Sequence, residues 1–532
     1  MSHLTDDQVA RIAARLVERM GGAPVQARPP ESSTMAVAPI YAEVRGTAAG
    51  LGRSETPAMA AGMAGSETKV AAIETRRLDS AATATSAGGA SSDGLFDSID
   101  AAVAAARVAF LQLGGTTLAQ RDRIIAAIRE AMLPAAEELS RMAWEETGLG
   151  RVEDKILKNR LVITKTPGIE VLHPEAVSGD HGLTLFERAP YGVIGAITPV
   201  TNPTSTIICN SIGMLAAGNA VVFNAHPSAR RSSCHTVRLL NRAIRSAGGP
   251  PNLVCTVAEP TIETAKELMR HPGVRLLVVT GGAGVVEEAM RSGKRAICAG
   301  PGNPPSVVDE TADLERAARD IVRGASLDNN IICTDEKEVF VVRAVADALL
   351  EGMVRHGAYR LNAGELRRVE HVMFTANHGP GKPAVMNKML IGKNAARILE
   401  EAGIHVDPQT RLAVADVPPE HPLVWTEQMM PVLPVVRVED AGKAIDLAIR
   451  AERGCGHSAA MHSRNIDNLS RMAREINTTI FVKNGPCCAG LGAGGEGHAS
   501  FTIASPTGEG MTGPLSFTRE RRCVVVDHFR IV

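Results

Sequence analysis

The chain has 532 residues, 45% of them apolar and 22% charged, with a net charge of −1. That length suits about two or three domains of a soluble globular protein. The near-zero charge and 3% aromatic content exclude a polyanion-binding surface built on a basic stripe or stacked rings. The most apolar stretch, residues 207–223, is broken by Asn210, Ser211 and Asn219, so no membrane span is expected.

In chain order, residues 4–20 (LTDDQVARIAARLVERM) place Val9, Ile12, Leu16, Val17 and Met20 on one helical face. Thr5 and Gln8 have capping-box spacing, and Gly21–Gly22 stop the helix. Residues 21–92 are rich in Ala, Gly, Ser, Thr and Pro with little periodicity, the composition of a flexible linker. A short amphipathic helix on a long tether suits docking to a partner. The pair Asp6–Asp7 speaks against a cationic presequence.

Globular patterning begins near Leu95. Helical periodicities cover 99–111 and 121–146. Strands are expected at 192–198 (GVIGAIT), 220–223, 253–257, 275–279 and 295–298. Helices lie between them: one opened by Pro203 after Asn202, one capped by Ser228 or Ser232, then 263–269 and 284–291. This alternation predicts a parallel, doubly wound sheet with ligands at the strand C-terminal ends. A second set follows Asp328, with strands at 337–342, 412–415, 432–438, 458–461 and 478–482 and a last one at 523–526. Its helices are expected at 345–356, 395–402, 441–451 and 466–476.

The nine cysteines are scattered, odd in number and free of any CxxC pair, and no secretory leader is read ahead of them. Reduced cytosolic thiols are expected, with no zinc site. Residues 490–495 (GLGAGG) match G-x-G-x-x-G, but no helix is read behind them, so they are taken as a loop. Residues 300–304 lack the lysine and helix of a phosphate-binding loop. Cys333 differs from the other cysteines by position. It stands between a polar turn (DNN, 328–330) and a strand, at the junction of the two α/β sets, where ligand clefts concentrate.

Several segments occurring in order resemble the aldehyde dehydrogenase superfamily, and closely its CoA-acylating branch, the propionaldehyde and acetaldehyde dehydrogenases of bacterial microcompartments. They are ETGLGRVEDKILKN (146–159), PYGVIGAITPVTNPTST (190–206), GNAVVFNAHPSA (218–229), VVTGGAGVV (278–286), AGPGNPPSVVD (299–309), the Cys333 segment, TEQMMPVLPVV (426–436) and residues 506–532. The likeness covers residues 95–532. It implies an aldehyde dehydrogenase-like α/β fold of two doubly wound domains plus an oligomerisation arm. The expected division is a targeting helix at 1–20, a linker at 21–92, a dinucleotide and CoA domain at 93–325, a catalytic domain at 326–500 and a C-terminal segment at 501–532. Arm strands are expected near 180–190 and at 523–526.

By this resemblance Cys333 is the nucleophile and Asn202 donates its side-chain amide to the oxyanion; a plainer reading makes Asn202 a helix cap before Pro203, and the two roles are compatible. Thr198, Pro199, His226, Pro227, Thr280, Gly281, Gly282 and Val285 match positions lining the cofactor site, and Glu427 matches the glutamate that holds the nicotinamide ribose. Hydrolytic members carry a glutamate where this chain has Cys298. Without a carboxylate base, water is a poor deacylating nucleophile, whereas a thiol needs less help. The resemblance therefore implies oxidation of a short aldehyde with NAD and CoA to acyl-CoA, in a homodimer or homotetramer. It also implies a cytoplasmic enzyme addressed by residues 4–20 to a microcompartment shell or cargo protein. The competing readings are a hydrolytic NAD(P)-dependent dehydrogenase and a non-catalytic scaffold component.

Overall fold

The computed structural model describes residues 93–532; the expected helix at 4–20 and linker at 21–92 lie outside the described residues. Among the described residues no helix is long and apolar enough to cross a membrane.

The first sheet has six parallel strands in the spatial order Leu95–Phe96, Val254–Val257, Ala220–Asn224, Val193–Ile197, Val274–Thr280 and Ala296–Ala299. From Val193–Ile197 the chain winds outward through two strands, then returns to add Val274–Thr280 on the other side. The switch point therefore lies between Val193–Ile197 and Val274–Thr280, where an open α/β sheet leaves a crevice. Strands such as Ala220–Asn224 are buried at every position, as expected of parallel strands covered on both faces.

The second sheet has seven parallel strands, ordered Ala358–Leu361, Leu412–Val417, Val432–Val438, Glu338–Val342, Pro305–Val308, Ser458–His462 and Ile480–Lys483. Residues alternate between its two cores: Phe340 faces one, Val339 and Val341 the other. The domain boundary expected at 325/326 needs correction. Pro305–Val308 is a central strand of the second sheet, and Leu314–Ala325 packs on that sheet, so the border between the sheets falls between Ala299 and Pro305. Cys488, Leu491, Ala493 and Ala499 in turn pack into the first core.

Antiparallel strands Glu175–Gly179, Gly182–Pro190 and Thr518–Val526 form a third sheet, with Cys523 opposite Leu185 and Val525 opposite Leu183. The two segments singled out as arm strands thus pair within one chain. Helix Arg230–Ser246 starts at Ala229, without the expected serine cap. The Glu146 carboxylate does that work from a distant helix, accepting from the Arg231 and Ser232 N–H groups at 2.6 and 2.8 Å. Residues 490–495 begin within the short 3-10 turn Cys487–Leu491 and open no α-helix after it.

Candidate active site

A cavity of about 800 Å³ opens at the C-terminal ends of the first sheet and reaches Cys333 and Glu427. All eleven residues singled out from the sequence line it: Thr198, Pro199, Asn202, His226, Pro227, Thr280, Gly281, Gly282, Val285, Cys333 and Glu427.

Thr198 follows strand Val193–Ile197, and its buried hydroxyl has no partner among the described residues. Gly281 and Gly282 lead into helix Ala283–Met290. A Cβ on Gly282 would meet nothing within 4 Å, so a ligand can approach the backbone there. His226 is exposed and caps the turn Pro227–Ala229, its Nδ1 accepting from the Ser228 N–H at 3.2 Å. Thr280 Oγ1 lies 2.8 Å from Thr502 Oγ1, tying the C-terminal segment with Phe501 and Ile503 to the cavity wall.

Asn202 precedes helix Pro203–Ala216, yet its side chain makes no capping bond. The amide instead accepts from Lys158 Nζ at 2.7 Å and donates to Thr201 Oγ1 at 3.1 Å. Asn202 still occupies the cap position, where its C=O accepts from the Thr206 N–H at 3.0 Å, so the cap is made by the backbone while the side chain bonds elsewhere.

Cys333 is half-buried, and the loop before it is held under restraint. Asp328, Asn329 and Asn330 have φ of 45, 58 and 65°, a left-handed run that costs non-glycine residues about 1–2 kcal/mol each. Side chains hold it. Asn329 Nδ2 donates to Gly392 O at 2.8 Å and Asn394 Oδ1 at 2.9 Å, and Asn330 Nδ2 to Ala325 O at 2.8 Å. Fully buried Lys337 donates to Asn330 O at 2.8 Å, Asn330 Oδ1 at 2.7 Å and Ile332 O at 3.3 Å. Burial pushes the Cys333 thiol up to about 12 and the Glu427 carboxylate adds to this, while Lys337 and the Cys333 N–H pull it down. Burial also raises the Glu427 carboxyl, which accepts from the Gly302 N–H at 3.4 Å. Gly302 is glycine because a Cβ would stand 2.8 Å from Cys333 O and 3.0 Å from His457 Cγ.

Cys298 is fully buried in the first core, outside the cavity, and burial lifts its thiol to about 11. Several residues here were not singled out from the sequence, although Lys158, Asp328 and Met429 lie within segments that carry the family resemblance. Met429, at φ 53°, lines the cavity. His457 is buried behind Gly302 with its Nε2 unpartnered, and burial lowers it to about 4. Lys158 and Asp328 are buried charges whose partners are far away in sequence.

Residues 89–502 match the aldehyde dehydrogenase family, and the chain belongs to it. The chain is 53% identical over 440 residues to the acetaldehyde dehydrogenase (acetylating) EutE of Salmonella typhimurium, covering 82% of this chain and 94% of that one. It is similar in structure to a propionaldehyde dehydrogenase of Rhodopseudomonas palustris solved with bound CoA and an acylated cysteine. The TM-score is 0.80 at 51% identity, over 82% of this chain and 98% of that one. A propionaldehyde dehydrogenase from the Clostridium phytofermentans fucose utilisation bacterial microcompartment gives a TM-score of 0.80 at 46% identity, over 82% and 100%.

Proposed function

We propose that the protein is a CoA-acylating aldehyde dehydrogenase, converting a short aldehyde of the acetaldehyde or propionaldehyde class to its acyl-CoA with NAD as oxidant. One observation carries the reading: a single cavity joins the strand ends of a doubly wound sheet to Cys333. The acetylating relative and the CoA-bound, acylated neighbour support the same chemistry.

Cys333, as thiolate, attacks the aldehyde carbon, and the carbonyl oxygen becomes an oxyanion. The Asn202 amide and the Cys333 N–H stabilise that charge. Thr198, Pro199, His226, Pro227, Thr280, Gly281, Gly282, Val285 and Glu427 would hold the dinucleotide, which would supply the hydride acceptor. The unpartnered Thr198 hydroxyl and open Gly282 fit such a ligand. Loss of hydride leaves a thioester on Cys333. The CoA thiol then attacks the acyl carbon and the Cys333 thiolate leaves.

Cys298, buried away from the cavity, offers no carboxylate to activate water, which favours thiol over water as acceptor. Turnover of propionaldehyde should require CoA and yield propionyl-CoA; equal turnover to free propionate without CoA would support the hydrolytic alternative. Cys333→Ala should abolish NADH formation, whereas Cys298→Ala should retain most of it.

The microcompartment neighbour supports packaging of this chain in such a compartment; the route proposed for it is residues 4–20, on the strength of their amphipathic sequence pattern alone. Deleting residues 1–20 should release the enzyme from purified shells with turnover unchanged. Normal packaging of the truncated chain contradicts that role.

A further inference from the structure

Lys158 is a buried cation with no part in the chemistry above. It lies on helix Val152–Lys165, is 2% exposed, and donates to Asn202 Oδ1 at 2.7 Å and Thr201 O at 3.4 Å. It also bonds Asp328 Oδ2, to which Lys155 donates at 3.0 Å. Asp328 is fully buried, and its Oδ1 accepts from the Arg151 N–H at 2.6 Å. Gly150 leaves the room for this: it has φ +72°, and a Cβ there would stand 1.9 Å from Asp328 Oδ1. Burial works against the Asp328 charge, yet Lys155 and Lys158 together hold its carboxyl below the usual range. One ammonium thus bonds both the loop that carries Cys333 and the Asn202 amide, which lines the same cavity.

An ammonium has only donors, so Asn202 can meet it only through Oδ1. The amide is thereby fixed in one of its two near-isosteric orientations. Nδ2 faces away from Lys158, with one hydrogen on Thr201 Oγ1 and the second left for the cavity that Asn202 lines. A charge on Oδ1 also draws electron density from the N–H bonds, which strengthens them as donors.

We propose that Lys158 is a positioning residue for thioester formation, orienting and polarising the Asn202 amide toward the oxyanion formed at Cys333, with Asp328 holding the ammonium in place. This rests on the reading of Cys333 as nucleophile and Asn202 as oxyanion donor. Because the oxyanion exists only after attack, the effect falls on the rate of the step and not on aldehyde binding.

The test is a double-mutant cycle on the full-length chain, read as single-turnover NADH formation from propionaldehyde. Asn202→Ala should slow the step by about 10²-fold, the usual cost of one oxyanion donor. Lys158→Met should slow it by about 10-fold or more with aldehyde KM within about 2-fold, and Lys158→Arg should recover part of the loss. In the Asn202→Ala background, Lys158→Met should add less than about 2-fold, since the amide it serves is gone. Full additivity, or an undiminished rate in Lys158→Met, overturns the proposal. Should Lys158→Met fail to fold, Lys158→Gln read in the same cycle decides by the same criteria. An undiminished rate in Asn202→Ala instead overturns the underlying reading of the site, whatever Lys158 does.

Discussion

Lys337 Nζ lies 2.7 Å from Asn330 Oδ1, so a fully buried ammonium is held by the loop that ends at Cys333. It stands among Asp335, Glu336 and Glu338, each of them also fully buried. Removing the ammonium takes away the donor of Asn330 O, Asn330 Oδ1 and Ile332 O and the charge that offsets the upward push of burial on those carboxyls, at about 3–5 kcal/mol. Lys337→Met should therefore lower unfolding stability by about that amount. A change under about 1 kcal/mol in denaturant titration would show that the buried carboxylates do not depend on it.

The thiol of Cys333 is held up first by burial and next by Glu427. Glu427→Gln removes the second of these, so more thiolate is present at a given pH. Iodoacetamide should then label Cys333 faster in the variant at pH 8, because the thiolate is the reacting form. Slower labelling would mean that Glu427 acts on the sulfur as a base and not as a repelling charge.

Glu336 gives the fold a defined pH dependence. Burial lifts its carboxyl from 4.5 to about 7, against the Cys487 N–H, which donates to it at 2.7 Å. A raised folded-state value means that the folded protein binds the proton more tightly. The stabilisation is full below about pH 4.5 and is lost as pH rises through about 7. Glu336→Gln cannot titrate, so its stability should fall less than the parent's between pH 5 and pH 8. Parallel stability profiles for the two proteins would place that pH dependence elsewhere.

The third sheet leaves Val524 58% and Val526 63% exposed on the outer strand Thr518–Val526. Exposed apolar edge strands are covered in stable proteins. A homodimer or homotetramer that uses this arm should dissociate when Val524 and Val526 are both changed to Lys, with subunit melting little altered. An unchanged mass in light scattering would remove the arm from the interface.

Much of the fold is legible in the chain because its strands are continuous apolar runs and its helices keep a 3.6-residue period. Val432–Val438 and Ile466–Ile476 fall at the expected residues. Pro305–Val308 has no strand signal of its own, because Pro301, Pro304 and Pro305 are residues that disfavour a central strand, and the domain border is displaced with it. The lining residues were reached through their motifs. What pattern could not reach is contact across distance: Lys158 and Asp328 are 170 residues apart, and Glu146 and Ser232 86 apart. Local sequence also does not say that three consecutive left-handed residues precede Cys333, since their restraints come from Gly392, Asn394 and Lys337.

The central claim is that Cys333 carries the acyl group until a thiol takes it. Mixing the full-length chain with propionaldehyde and NAD, without CoA, and following NADH absorbance together with peptide mass tests it directly. The account predicts a burst of about one NADH per site and a propionyl mass on the Cys333 peptide, discharged to propionyl-CoA when CoA is added. Sustained turnover to free propionate without CoA, NADH formed only after CoA is present, or an acyl group on another cysteine would contradict it.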